Sequence, residues 1–125
     1  MKKVFKVGLI GCGHIAETYF RAHKYFNNFK IIKCADINKF AAQKCAKTYK
    51  ISSTSVNELL KDKEIQVILN LTIPNAHYLI AKKSLLNGKH VYSEKPMSVK
   101  YDQAKELLKI AKDKNLYLGL SLIHI

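Results

Sequence analysis

Gly11, Gly13 and Ala16 set a G-x-G-x-x-A spacing directly after an apolar, β-branched run from Val4 to Ile10. Each small residue has its own physical use. The first glycine permits a tight turn, the second lets backbone approach a diphosphate, and the alanine lets a following helix pack closely on its strand. His14 and Ile15 fall in the same turn, where the first amides of a helix are free and carry partial positive charge that suits an anion. Asp36 ends the next apolar run, twenty residues after Ala16. That is the distance expected of a carboxylate that accepts hydrogen bonds from a ribose. The constellation implies dinucleotide binding; the plainer alternative is a tight turn in a sheet that binds nothing. A carboxylate at Asp36 repels a 2′-phosphate and so favours NAD over NADP, although Lys39 nearby softens the repulsion. Asp36 could equally serve the amides of a helix start.

Two further blocks carry reactive or polar groups. Thr72, Pro74, Asn75 and His77 follow the most apolar run, Gln66 to Ile73. Thr72 and Asn75 are placed to meet a ribose or phosphate, while Pro74 starts a helix and Asn75 caps it. His77, on the first turn, reads as packed or exposed rather than catalytic. Glu94-Lys95-Pro96 follows the short run His90 to Ser93. A lysine and a glutamate there would converge on the nicotinamide end of a cofactor, next to a substrate hydroxyl. On spacing alone, a solvated pair before a proline is the better account.

The elements that must position these groups alternate steadily. Strand-like runs are expected at Val4–Ile10, Phe29–Ala35, Ile51–Thr54, Gln66–Ile73, His90–Ser93 and Leu116–Leu120. Helical periods fill the gaps, the first from His14 to about Asn27 and the last carrying Tyr101, Ala104, Leu107, Leu108 and Ala111. Asn38 is an N-cap, Ser55-Val56-Asn57-Glu58 is a capping box, and Asn87-Gly88 is a helix stop. Such alternation predicts an α/β protein, a doubly wound parallel sheet with helices on both faces. The chain is too short for an eight-unit barrel.

Composition narrows the class. The chain has 125 residues, 48% hydrophobic and 25% charged, as in an ordinary globular domain. No apolar run is long enough for a membrane helix, and Lys6 breaks the short N-terminal apolar stretch that a secretory signal would need. The net charge of +13 would suit nucleic acid, but of 22 basic residues only Arg21 is arginine, and the lysines are scattered. Nucleic-acid binding is therefore the weaker reading. Three cysteines with no metal-like spacing suit a reduced, cytoplasmic chain and predict no metal.

Taken together, Gly11 to Ala16, Asn70 to His77 and Gly88 to Pro96 resemble, in order and spacing, the Gfo/Idh/MocA oxidoreductase family. The similarity runs from about Lys3 to Gly119, and Glu-Lys-Pro is its most specific element. The resemblance implies a Rossmann-like fold of three α/β/α layers that binds NAD, with NADP possible. It implies that Lys95 is catalytic, contacting the reacting hydroxyl of a sugar, inositol or related polyol, with Glu94 beside the nicotinamide ribose. Thr72, Pro74, Asn75 and His77 would line the cofactor cleft. Relatives of this kind are about three times as long and carry a second domain with a catalytic histidine. The expectation is thus that residues 1–120 form the NAD(P)-binding domain, that 121–125 are an atypical tail, and that the second domain is absent. Alone, the chain would bind cofactor without turnover and self-associate through exposed apolar surface. A free-standing nucleotide-binding module remains the alternative.

Overall fold

The computed structural model describes residues 5–13, 17, 19–20, 29–72, 74–93 and 100–120, the side chains of 74, 75 and 120 excepted. The expected helix of residues 14–27 is therefore described only at Glu17, Tyr19 and Phe20, which are helical. His14, Ile15, Ala16, Glu94, Lys95 and the tail 121–125 lie outside the described residues.

Six strands form one parallel sheet: β1 (Phe5–Ile10), β2 (Phe29–Ala35), β3 (Ser52–Ser53), β4 (Val67–Asn70), β5 (His90–Ser93) and β6 (Leu118–Leu120). Their spatial order is β3-β2-β1-β4-β5-β6. Order therefore reverses between β1 and β4, which leaves a crevice at their carboxyl ends. Four helices are described: α1 (Lys39–Tyr49), α2 (Val56–Lys61), α3 (Pro74–Leu86) and α4 (Tyr101–Asp113).

Side-chain alternation along each strand divides the core into layers. Val7, Leu9, Ile31 and Leu69 point to one face and pack with Tyr19, Phe20 and Cys45 of α1. Ile10 and Ile68 point to the other, against Leu59 and Leu60 of α2 and Ile80 of α3. Val91 continues that second layer under Ala81, Leu85, Leu107 and Ala111 of α3 and α4. Parallel strands covered by helices need apolar side chains against those layers, and β1, β2, β4 and β5 supply them.

The punctuation signals act much as expected, with two corrections. Asn38 Oδ1 accepts from the amides of Phe40 (3.0 Å) and Ala41 (3.2 Å), capping α1. Gly88, at φ 77°, ends α3, and the next amide, of Lys89, donates back to Ser84 O at 3.0 Å. At the capping box, Ser55 Oγ accepts from the Glu58 amide at 3.1 Å. The Glu58 carboxylate does not return to the Ser55 amide; it accepts from the hydroxyls of Ser55 (3.2 Å) and Thr54 (3.3 Å). The second correction concerns α3, which begins at Pro74 itself. Proline lacks an N–H and suits the first helical position, so Asn75 stands within the first turn and is not the cap.

An ion pair ties the two sides of the β2–α2 junction. Lys33 Nζ of β2 contacts Asp62 Oδ2 just beyond α2, and Asp62 Oδ1 accepts from the Glu64 amide at 2.9 Å. The Lys33 ammonium, then the Glu64 amide, hold the Asp62 carboxyl below the usual carboxylate range, while Asp62 raises Lys33. A depressed carboxyl stabilises the fold above its ordinary pKa and loses that contribution as pH falls through the folded value. The raised lysine loses its share only as pH rises through its own raised value, so neutral pH lies on the plateau. Asp62→Asn should therefore lower the melting temperature at pH 7 and leave a gap to wild type that narrows below about pH 4. Thermal melts across pH would check this; a gap of constant size would contradict it.

Candidate cofactor site

The crevice at the β1/β4 reversal is a cavity of about 220 Å³ whose lining includes Gly11, Gly13, Asp36, Ile37, Thr72 and Ala76. Three loops deliver these residues from the carboxyl ends of β1, β2 and β4. Gly11 makes the turn possible: its φ is +102°, and an added Cβ would stand 2.6 Å from the carbonyl carbon and oxygen of Leu71. Its amide donates to Ala35 O at 2.9 Å, locking β1 to β2 at the point where β1 ends. Gly13 differs. An added Cβ there would meet nothing within 4 Å, so its backbone borders open space.

Asp36 is tied into the turn more closely than its spacing alone suggested. Oδ2 accepts from the Cys12 amide at 2.7 Å, and Oδ1 from the Asn38 amide at 2.9 Å. The carboxylate thus staples the glycine turn to the start of α1. A carboxylate offers about four lone-pair sites, so each oxygen keeps a site for a further donor. Asp36 thus serves the amide of the helix start and also lines the cavity. Ile37, next in sequence, is 86% exposed and lines the cavity.

On the β4 side, Thr72 Oγ1 donates to Asn70 Oδ1 at 2.7 Å, and Asn70 Nδ2 donates to His77 O at 3.0 Å. The fully buried Asn70 therefore shapes this loop from beneath. It went unremarked as a site residue in the sequence, yet it opens the Asn-Leu-Thr-Ile-Pro-Asn block. His77 is 1% exposed and lies off the cavity lining, in agreement with a packed histidine. Pro74 and Asn75 supply the first turn of α3 beside Thr72. The site thus gathers Gly11, Gly13, Asp36 and Thr72, and Glu94 and Lys95 fall outside the described residues.

A second feature was not legible in the spacing. Cys12 of the glycine turn, Cys34 of β2 and Cys45 of α1 place their sulfur atoms within 4.8 Å of one another. The Cys12 thiol donates to Ala35 O at 3.6 Å and the Cys34 thiol to Ala42 O at 3.5 Å.

The family model described as an oxidoreductase family with an NAD-binding Rossmann fold, GFO_IDH_MocA, matches residues 5–121. The chain belongs to the Gfo/Idh/MocA oxidoreductase family. Within it, these residues are the NAD-binding Rossmann domain. Glucose-6-phosphate 3-dehydrogenase of Bacillus subtilis is 33% identical over 101 residues, 79% of this chain and 28% of that protein. Among solved structures, a dehydrogenase (MviM) from Clostridium difficile is 30% identical with a TM-score of 0.86, covering 95% of this chain and 39% of that one. Biliverdin reductase from Synechocystis, in complex with biliverdin and NADP+, is 27% identical with a TM-score of 0.87, covering 93% and 37%. The Gfo/Idh/MocA chain described here spans between 18% and 35% of the length of such curated relatives as two Schizosaccharomyces pombe oxidoreductases and a Saccharomyces cerevisiae protein. No helix among its described residues is long and apolar enough to cross a membrane.

Proposed function

We propose that residues 1–120 are the cofactor half of an oxidoreductase that acts on a CH–OH group of a sugar, inositol or related polyol, with NAD preferred over NADP. The observation that carries the reading is the crevice itself: a glycine turn that no Cβ could enter at Gly11, an open backbone at Gly13, and a carboxylate at its edge. The names of two relatives, glucose-6-phosphate 3-dehydrogenase and inositol 2-dehydrogenase/D-chiro-inositol 3-dehydrogenase, support the substrate class.

The residues present fit a dinucleotide. The open space over Gly13 admits a diphosphate, which the amides of Gly13, His14 and Ile15 would hold, with Ala16 keeping the helix close. The free oxygen sites of Asp36 would accept from the ribose hydroxyls, and exposed Ile37 offers an apolar platform for a base. A cavity of about 220 Å³ falls below the ~300–1,000 Å³ usual for a whole ligand site and suits the adenosine end alone. Thr72, with Pro74 and Asn75 in the first turn of α3, would extend the cleft, and buried His77 would support that turn from within. When bound, the nicotinamide supplies hydride chemistry. Lys95 would hold the substrate hydroxyl and move its proton, and Glu94 would orient the nearby ribose. The net charge of +13 favours capture of an anionic cofactor.

Titration calorimetry with NADH and NADPH tests the assignment. Wild type should bind NADH more tightly, and Asp36→Ser should lose at least tenfold for NADH while gaining for NADPH, helped by Lys39. A wild-type preference for NADPH would sink Asp36 as the discriminator, and no binding of either would sink the cofactor reading.

A further inference from the structure

The three cysteines of this chain come from separate elements: the glycine turn, the sixth position of β2, and the middle of α1. Their sulfurs nevertheless converge within 4.8 Å of one another, Cys34 and Cys45 buried and Cys12 half-buried, all as free thiols. From this convergence we propose a three-thiolate site for a soft, thiophilic cation, best suited to monovalent copper, beneath the glycine turn.

Geometry and donor chemistry select the ion. Metal–sulfur bonds of about 2.3 Å in a plane of three ligands place sulfurs about 4.0 Å apart, so closure requires shifts of under about one ångström. Among the described residues no histidine or carboxylate joins the set. Zinc sites take four ligands in a tetrahedron; thiolates select soft ions such as Cu(I), which three sulfurs can satisfy. Access exists as well. A second cavity, about 410 Å³, is lined by Cys12, Gly13, Lys44, Cys45 and Thr48, so two of the three cysteines border an entry path. The ammonium of Lys44 in that lining offsets the negative charge that a tris-thiolate leaves on a monovalent ion. Binding releases the thiol protons to solvent and involves no change of oxidation state.

The site does not depend on the cofactor reading, and its test reads metal and sulfur only. The reduced full chain is titrated without oxygen, using Cu(I) supplied as its bicinchoninate complex. The expected result is one copper per chain, an ultraviolet thiolate-to-copper absorption, and protection of all three cysteines from alkylation. Zn(II) should bind more weakly. Cys12→Ser, at a half-buried loop position, should keep its fold by circular dichroism. Its copper affinity should drop by at least the roughly 10–100-fold that loss of an outer-shell partner costs at metal sites. Cys34→Ser should behave alike. Unchanged affinity in folded Cys12→Ser, tighter binding of zinc than of copper, alkylation that copper does not slow, or a disulfide formed in place of the metal complex would each overturn the proposal.

Discussion

Gly11→Ala is expected to destabilise the domain severely, while Gly13→Val is expected to leave it folded and unable to hold nucleotide. The two glycines sit two residues apart and look alike in the motif, yet their surroundings differ. At φ +102° a side chain is strained, and the added methyl would lie 2.6 Å from Leu71 backbone. Strained backbone of this kind costs about 1–3 kcal/mol, and forced overpacking adds about 1–3 kcal/mol more. Against a total domain stability of about 5–15 kcal/mol, that loss is a large fraction. Gly13 has neither a positive φ nor a neighbour within 4 Å of its added Cβ. Valine there occupies only the space a diphosphate would need, so NADH affinity should fall at least tenfold, about 1.4 kcal/mol. Urea unfolding and calorimetry of both variants separate the effects. Equal stability of Gly11→Ala and wild type, or full NADH affinity in Gly13→Val, would show that the turn is not the cradle described.

The second large effect concerns Lys89, which is 6% exposed. Its ammonium donates to the carbonyls of Asp62 and of Ile65 (2.7 Å), in the loop between α2 and β4. Burial pulls its pKa down, and the Asp62 carboxylate partly opposes that. Lys89→Met keeps most of the aliphatic stem and deletes both donors. Hydrogen bonds from charged groups contribute about 1.5–3 kcal/mol each, and carbonyls left buried without a donor add to the penalty. Release of the buried charge offsets part of this, so a net loss of about 2–4 kcal/mol is expected. Lys109→Met, on exposed α4 surface, should change stability by no more than about 0.5 kcal/mol. If the two variants unfold at the same denaturant concentration, Lys89 does not hold the loop.

What could be read beforehand follows the range of the interactions involved. The carboxyl ends of β1, β2, β5 and β6, the Asn38 cap and the Asn87-Gly88 stop depend on residues a few positions apart, and their chemistry is written locally, whereas β4 stops at Asn70, three residues short of the end of the apolar run. The G-x-G turn with Asp36 was legible because the fold imposes a fixed chain distance between them. That Asp36 binds the Cys12 amide was not, because this bond joins residues 24 positions apart. The cysteine cluster is the clearest case. Cys12, Cys34 and Cys45 have no ligand-like spacing, and only the β1–β2 pairing and the packing of α1 bring them together. Lys89 follows a Gly turn and has no local partner; carbonyls 24 and 27 positions earlier in the chain take its ammonium. Asn75 misled because proline suits the first helical position, so the helix starts at Pro74 and Asn75 falls inside its first turn.

The strand order also sets a timetable for synthesis. β1 is central, with β2 on one side and β4 on the other, and Lys6 is bonded to Gln66 across a separation of 60 residues. At about 5–20 residues per second of translation, β1 leaves the ribosome roughly 3–12 s before its partner exists. During that interval it can pair only with β2, and its other edge, Val7 to Ile10, is open to whatever strand is nearby. The nucleotide crevice is the last part of this half-sheet to be built, because one of its walls is β4. A nascent chain arrested before residue 70 should therefore be a target for holding chaperones, and NAD in the cell has nothing to bind until the wall arrives.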